Sequence, residues 1–342
     1  MSRARPLAGL TIGIVYNVHL RMARGLARDA VTDADTLRTV DAACSVLRSA
    51  GARVADLAAG EDLRPLFGRL SRRRPHAVIN LCDCPRGDSA LEPAIPGMLD
   101  LLGIPYTGAP ASALALCRDK ATVKRILAAS GIPTPAFTVA LPHRRPVAKT
   151  RLPAFVKPVH EDASCGIDNG SVVRTRTALV RRVRFVHERY GQPALVERFI
   201  DGREVNVSIV GADPPRLLPL GEIDFSRLPR GLPRIVGFEA KWLEDRPEYR
   251  GTQSIAARPL PRATLGAIRR DAAAAFALTG CRDYARVDLR LDRRLRPFVL
   301  EVNPNPDLSP GAGLARAWER AGGRWPDLVV SIVRMALDRP RG

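Results

Sequence analysis

Arg286-Val287-Asp288 and Leu300-Glu301-Val302-Asn303 are the two stretches from which this 342-residue chain is read. Each lies in an apolar run with the alternation of a strand, Ala285 to Leu291 and Pro297 to Val302. On an extended strand alternate residues share a face, so Arg286 points with Asp288 and Glu301 with Asn303. Paired as a hairpin, the two strands bring two carboxylates and an amide oxygen together. Oxygen donors of that kind suit Mg²⁺, which is held by one or two carboxylates plus substrate phosphates. Arg286 beside them would neutralise a phosphoryl group in transfer. The competing reading is an exposed hairpin decorated with salt bridges. It is weakened because Val287, Leu300 and Val302 then alternate inward, sealing a carboxylate-rich face to no purpose.

Outward from this hairpin the chain divides by texture. In the N-terminal third, strands at about 10–16, 52–55 and 77–81 alternate with helices at about 33–50, 62–72 and 91–102, and 103–108 reads as a short strand ending in a turn. Such alternation implies a parallel sheet with crossover helices. From Ala111 a helix runs to about 129 and stops at Ser130-Gly131-Ile132-Pro133. Short strands follow at 136–139, 154–157, 170–174, 194–198 and 205–210, with a helix near 177–189. The last third holds an alanine-rich helix at 261–279, the hairpin, a Pro/Asn/Gly-rich loop at 303–313 and closing helices. The expected organisation is an N-terminal α/β domain over 1–110, a central lobe over 111–195 and a C-terminal lobe over 196–342.

Forty-six per cent hydrophobic residues supports a sizeable core and argues against disorder. No uncharged apolar run reaches the length of about 18 residues needed to span a bilayer. The formal net charge of +19 would ordinarily suggest nucleic acid. The basic residues are 49 arginines against five lysines, however, scattered singly or in pairs, and the densest block is Arg72-Arg73-Arg74. No aromatic-rich basic stripe accompanies them, so a solvated arginine-rich surface is the reading, with no nucleic-acid or membrane partner. The six cysteines lie far apart except for Cys82-x-Cys84, which has no second pair to complete a zinc site. The segment Pro6 to Tyr16 reads as a buried strand with no cleavage site after it, and reduced thiols in a cytoplasm are expected.

A chain that prefers arginine so strongly keeps lysine at Lys120, Lys124, Lys149, Lys157 and Lys241. A compact ammonium does a different job from a guanidinium fork, so these positions are inspected first; for Lys124 and Lys149 chance survival is the expectation. Walker, dinucleotide-binding and nucleophile-elbow motifs are absent. Instead Phe155-Val156-Lys157-Pro158 ends a strand and leads to the small-residue loop Asp162-Ala163-Ser164-Cys165-Gly166-Ile167. Backbone N–H groups of such a loop approach phosphate oxygens while the lysine supplies a point charge.

As a set, these residues resemble the ATP-grasp superfamily, specifically enzymes of the D-alanine–D-alanine ligase type. The resemblance follows the chain in order through Asn80-Leu81, Gly103-Ile104-Pro105-Tyr106-Thr107-Gly108, Arg118-Asp119-Lys120 and Gly131-Ile132-Pro133-Thr134-Pro135. It continues through Val156-Lys157-Pro158, Val196-Glu197, Gly202-Arg203-Glu204, Glu239-Ala240-Lys241 and the two hairpin strands. It implies an N-terminal Rossmann-like domain followed by a two-lobed α+β module that clamps ATP. By that likeness Lys120, Lys157, Ser164 and Gly166 contact phosphates, Glu197 and Ile200 line the adenine slot, and Glu204 binds the ribose. Lys241 sits near the phosphates on a closing loop, while Asp288, Glu301 and Asn303 hold two Mg²⁺ ions. Arg286 stabilises a tetrahedral intermediate. The implied chemistry is attack of a carboxylate on the γ-phosphate, then displacement of phosphate by an amine, in a homodimer.

The chain departs from that family where substrates are chosen. The family's first pocket uses a hydrogen-bonded glutamate, serine and tyrosine. Here Ala163 stands for the serine and Trp242 for the tyrosine, and the glutamate's place falls near Thr32-Asp33-Ala34-Asp35. Alanine has no hydroxyl and indole donates without accepting. At the acceptor end Asp307 takes a glycine's place and Ala312 approximately that of a serine. Asp307 either repels an acceptor carboxylate and attracts a cation, or caps the following helix. The expected activity is a carboxylate–amine ligase acting on an amino acid or small carboxylate and an amine other than D-alanine. The alternatives are an enzyme installing an amino acid as an imine through a phosphorylated carbonyl or enol, a cell-wall D-alanine–D-alanine ligase, and a nucleotide-binding regulatory protein.

Overall fold

The computed structural model describes residues 7–18, 26, 32–142, 150–211 and 214–340. Lys149 and most of the segment 17–35 lie outside them, and nothing is described of the side chains of residues 32–35. Three sheets follow one another along the chain. The first contains β1 (Thr11–Asn17), β2 (Arg53–Ala59) and β3 (Ala77–Leu81), all parallel, in the order β2-β1-β3. Its two faces are covered differently. Ile12, Ile14 and Tyr16 meet α1 (Thr32–Ser49), whereas Val15 meets α2 (Arg64–Arg72) and α3 (Ala94–Leu101). A strand read over 103–108 is reduced to one parallel bridge between Val78 and Tyr106, because Gly103, Pro105 and Gly108 leave little ladder to form.

The helix read over 111–129 is two helices, α4 (Ala111–Arg118) and α5 (Lys120–Ala129). Asp119 breaks it: its carboxylate accepts the Thr122 N–H at 2.9 Å and caps α5. The break sets Lys120 in the first turn of a new helix. The second sheet is antiparallel, in the order β4-β7-β5-β6, from β4 (Phe137–Ala140), β5 (Ala154–Pro158), β6 (Val172–Val173) and β7 (Ala194–Arg198). Helix α6 (Arg176–Tyr190) seals one face through Leu179, Val183 and Val186.

The third sheet has the order β11-β10-β8-β12-β13. It is built from β8 (Arg203–Val210), β9 (Arg216–Leu217, paired on β8), β10 (Gly221–Asp224), β11 (Gln253–Ala256), β12 (Tyr284–Leu291) and β13 (Pro297–Asn303). Two short helices, α7 (Phe238–Trp242) and α8 (Pro247–Gly251), lie between β10 and β11. Helix α9 (Arg262–Leu278) and α5 cover this sheet with Ile268, Ala272, Phe276, Val123 and Leu127. The closing helices, α10 (Gly313–Arg320) and α11 (Trp325–Asp338), return to the first sheet, where Leu314, Leu328, Ile332 and Val333 share a core with Ile12 and Ile14.

Not every arginine is solvated. Arg182 and Arg290 are buried, and each donates to carboxylate and backbone oxygens. Among the described residues no helix is long and apolar enough to cross a membrane.

Candidate active site

The hairpin forms as its alternation implies. Strands β12 and β13 pair antiparallel with Arg286 opposite Asn303 and Asp288 opposite Glu301. The register then shifts: Leu289 pairs Val299, leaving Leu300 as the extra residue of a bulge. Leu300 therefore does not turn inward as a strict alternation requires, but lines the cavity beside Glu301. Arg286 forks onto Asp288, Nε to Oδ1 and Nη2 to Oδ2 both at 2.8 Å, and the Asn303 amide donates to Asp288 Oδ2 at 2.9 Å. Burial works against the Arg286 charge, but Asp288, Glu301 and Asp307 hold its pKa above the ordinary value.

Across the cavity β5 delivers Lys157, which is 3% exposed. Its ammonium lies 3.1 Å from Glu301 Oε2 and 3.9 Å from Glu197 Oε1. Burial opposes this charge too, yet the two glutamates raise the pKa. Glu301 answers in kind: burial would favour its neutral form, but Lys157, Lys120 and Arg286 hold it well below the usual carboxylate range. Lys120, from the first turn of α5, donates to Glu161 O at 2.5 Å and to Asp162 Oδ1 at 2.7 Å. Glu204 accepts from Arg290, Nη2 to Oε2 at 2.7 Å, and Arg290 also donates to the backbone carbonyls of Ile200 and Arg234.

These side chains border one cavity of about 600 Å³. Lys120, Lys157, Ser164, Glu197, Ile200, Glu204, Lys241, Arg286, Asp288, Glu301 and Asn303 all line it, as do Ala163, Trp242, Asp307 and Ala312. Gly166 does not. It turns the loop behind the wall at φ 73°, where a Cβ would stand 2.5 Å from Pro158 Cγ, so only glycine fits. Asp307 does not cap α10, whose N-cap is Ala312 without a side-chain bond. Its carboxylate accepts the Ser309 N–H at 2.8 Å instead, closing a turn within the 303–313 loop.

Lys124 is not a chance survival. It is wholly buried, 2.9 Å from Glu197 Oε2 and donating to Thr134 Oγ1 at 2.8 Å. Its place four residues after Lys120 put both lysines on one face of α5, a spacing legible in the sequence. Arg290 was equally legible, since it continues the alternation of Arg286 and Asp288 along one strand face. Glu92 gave no signal. It is buried at the cavity edge where Asn305 Nδ2 donates to its Oε1 at 3.1 Å.

Burial, Asp162 and Asp83 push the Glu92 pKa well above the usual value, against smaller opposing effects of Asn305 and Arg118. An acid whose folded pKa is raised contributes most below its unfolded pKa of about 4.3 and opposes folding as the pH rises beyond it. Glu92→Gln keeps the oxygen that Asn305 needs and removes the charge. It is expected to melt at least about 2 °C above wild type at pH 7.5, with the difference vanishing near pH 4.5. Parallel melting curves across that range would refute this account.

Asp288, Glu301 and Asn303 offer two carboxylates and an amide oxygen. Among the described residues no group of three or more His, Cys, Asp or Glu gathers for a metal. A donor set this small fits Mg²⁺, which completes its shell with phosphate oxygens and water, better than a metal held by protein alone.

Residues 126–334 match the family described as D-ala D-ala ligase C-terminus. A protein of unassigned function from Sinorhizobium fredii is 35% identical over 77% of this chain and 75% of its own length. A D-alanine–D-alanine ligase of Gluconobacter oxydans is 32% identical, covering 87% of this chain and 93% of that one. The fold is similar to the crystal structure of D-alanine–D-alanine ligase from Bacillus anthracis complexed with ATP, with a TM-score of 0.75 at 21% identity over 96% of this chain and 97% of that one.

Proposed function

We infer its chemistry from a premise the comparisons establish: this chain belongs to the D-alanine–D-alanine ligase family of ATP-grasp enzymes, which form a C–N bond using ATP. It is an ATP-dependent carboxylate–amine ligase, and our reading is that its product is an amide other than D-alanyl-D-alanine. The observation that carries the ligase chemistry is the convergence of Lys157, Arg286, Asp288, Glu301 and Asn303 on one cavity.

In this proposal the substrate carboxylate oxygen attacks the γ-phosphorus, the bond to the β-phosphate oxygen breaks, and an acyl phosphate and ADP result. The amine nitrogen then adds to the acyl carbon, loses a proton, and expels inorganic phosphate. Lys120, Lys157, Ser164 and Lys241 would hold the phosphates, Glu197 and Ile200 the adenine, and Glu204 the ribose. Gly166 would shape the Ser164 loop from behind the wall. Asp288, Glu301 and Asn303 would hold Mg²⁺, which neutralises phosphate charge when bound. Arg286, fixed by its fork on Asp288, faces the charge that develops on the acyl oxygen. No covalent nucleophile is needed, only positioning and charge. The domain division at 110 and 195 belongs to the same proposal: 110 falls between the first and second sheets, whereas 195 falls inside β7, and the second sheet gives way to the third only after Arg198.

The finer claim rests on residues that choose substrates. Ala163 and Trp242 cannot make a hydroxyl-to-hydroxyl contact, and Asp307 is exposed on the cavity rim close enough to Arg286 to affect its charge. A carboxylate there disfavours an acceptor bearing its own carboxylate. The test is mass spectrometry of products after incubation with Mg-ATP, pooled D- and L-amino acids and simple amines. A condensed mass matched by ADP is expected from the pool and none from D-alanine alone. Ready formation of D-alanyl-D-alanine would defeat the finer claim and leave the ligase assignment standing.

A further inference from the structure

We propose that Trp242 latches the segment 235–243 shut over the loop 162–167, and so sets how slowly nucleotide leaves the cavity. The inference rests on the reading that ATP occupies this cavity. Three hydrogen bonds join the two segments. The Trp242 indole Nε1 donates to Ala163 O at 2.9 Å, Phe238 N donates to Ile167 O at 2.8 Å, and Ser164 Oγ donates to Val236 O at 3.1 Å. Apolar packing reinforces them, with Phe238 against Cys165 and Tyr190, and Trp242 and Leu243 at the edge of that cluster.

The loop is rigid on its far side. Arg182 donates to Gly166 O at 2.6 Å and forks onto both Asp168 oxygens at 2.8 Å. Ala163 and Ser164 both hold left-handed φ values, 53° and 63°, which side chains adopt only when surrounding contacts impose them. The opposing element is weak by itself. Helix α7 has five residues, too few to be stable without tertiary contacts. Its end is therefore held by what it touches, and Trp242, which lines the cavity, makes the bond at its last residue.

That bond goes to a backbone carbonyl, so it needs a donor at position 242 and no hydroxyl at position 163. The ring has a second use. Lys241 Nζ lies 4.8 Å from its centroid, a cation–π contact that holds the ammonium at the cavity wall. Trp242 acts here as a positioning residue for the loop and for Lys241.

The experiment uses the full chain, Mg²⁺ and the fluorescent, non-hydrolysable analogue mant-AMP-PNP. Association is followed by stopped flow, and dissociation by a chase of unlabelled ATP. Trp242→Phe keeps the ring face and deletes the N–H. It is expected to speed dissociation about three- to tenfold, the effect of one hydrogen bond, with association within about twofold. Trp242→Leu, which also removes the cation–π contact, is expected to release faster still. Melting temperatures of both variants accompany the rates. If wild type binds the analogue and both variants release it at the wild-type rate, the latch is wrong and the nucleotide reading survives. Slower association with a lowered melting temperature would mark a general packing role and also overturn the latch. Failure of wild type to bind the analogue would overturn the nucleotide reading, and the latch with it.

Discussion

Glu301→Gln is expected to lower ligase turnover about a hundred- to a thousandfold, the scale on which a single preorganised charge acts at a reacting centre. Glutamine keeps the shape and one oxygen but removes the charge that balances Lys157 at 3.1 Å. Two consequences follow together. The donor set of Asp288, Glu301 and Asn303 falls to one carboxylate, so the Mg²⁺ concentration needed for half-maximal rate rises. In addition Lys157 and Lys124 are left facing Glu197 alone, and Lys157 moves toward it from 3.9 Å. ADP formation with the substrates found in the product screen, titrated with Mg²⁺, checks both. A variant within tenfold of wild type would remove Glu301 from the reacting centre.

The second large effect concerns stability. Lys124→Met is expected to destabilise the fold by about 3–5 kcal/mol, because it removes one partner of a buried ion pair and strands the other. Methionine nearly matches the lysine stem in volume, so the loss is electrostatic rather than a cavity. Glu197 is 3% exposed and would keep only the more distant Lys157. Thr134 would lose its donor and hold only Val299 O at 2.8 Å, one of two bonds, with Val299 N–H to Pro133 O at 2.8 Å, that tie the 131–135 turn to β13. The melting temperature should fall by about 6 °C or more. Adding Glu197→Gln to Lys124→Met should restore part of that loss, since the uncompensated charge disappears. A single variant that melts within about 2 °C of wild type would show that the pair contributes nothing.

The residues that were legible share a property. Arg286 and Asp288, like Glu301 and Asn303, sit two apart on stretches of strand that stay in register, so charge and alternation could be read at once. Lys157 and Lys241 stood out because arginine is used almost everywhere else. What escaped did so for physical reasons. The bulge at Leu300 depends on the match of two strands, which neither strand states alone. The break at Asp119 was hidden inside a continuous helical pattern, although an aspartate three residues before Thr122 is a cap in waiting. Glu92 lies beside 3₁₀ turns with no period, and the short elements α7, α8, β10 and β11 are too brief to leave one. Lys124 is the instructive error, since its rarity was noticed and its helical spacing from Lys120 was not used.

The return of α10 and α11 to the first sheet has a consequence for how the chain is made. β1, β2 and β3 leave the ribosome first, but one face of that sheet is completed by Leu314, Leu328, Ile332 and Val333. During synthesis that apolar face is covered only in part, by α1, while the second and third sheets are assembled. A nascent chain in this condition is the natural client of a holding chaperone. The same closure means that the N-terminal α/β unit cannot be excised at residue 110 without opening its own core, so its native form depends on residues from the far end of the sequence.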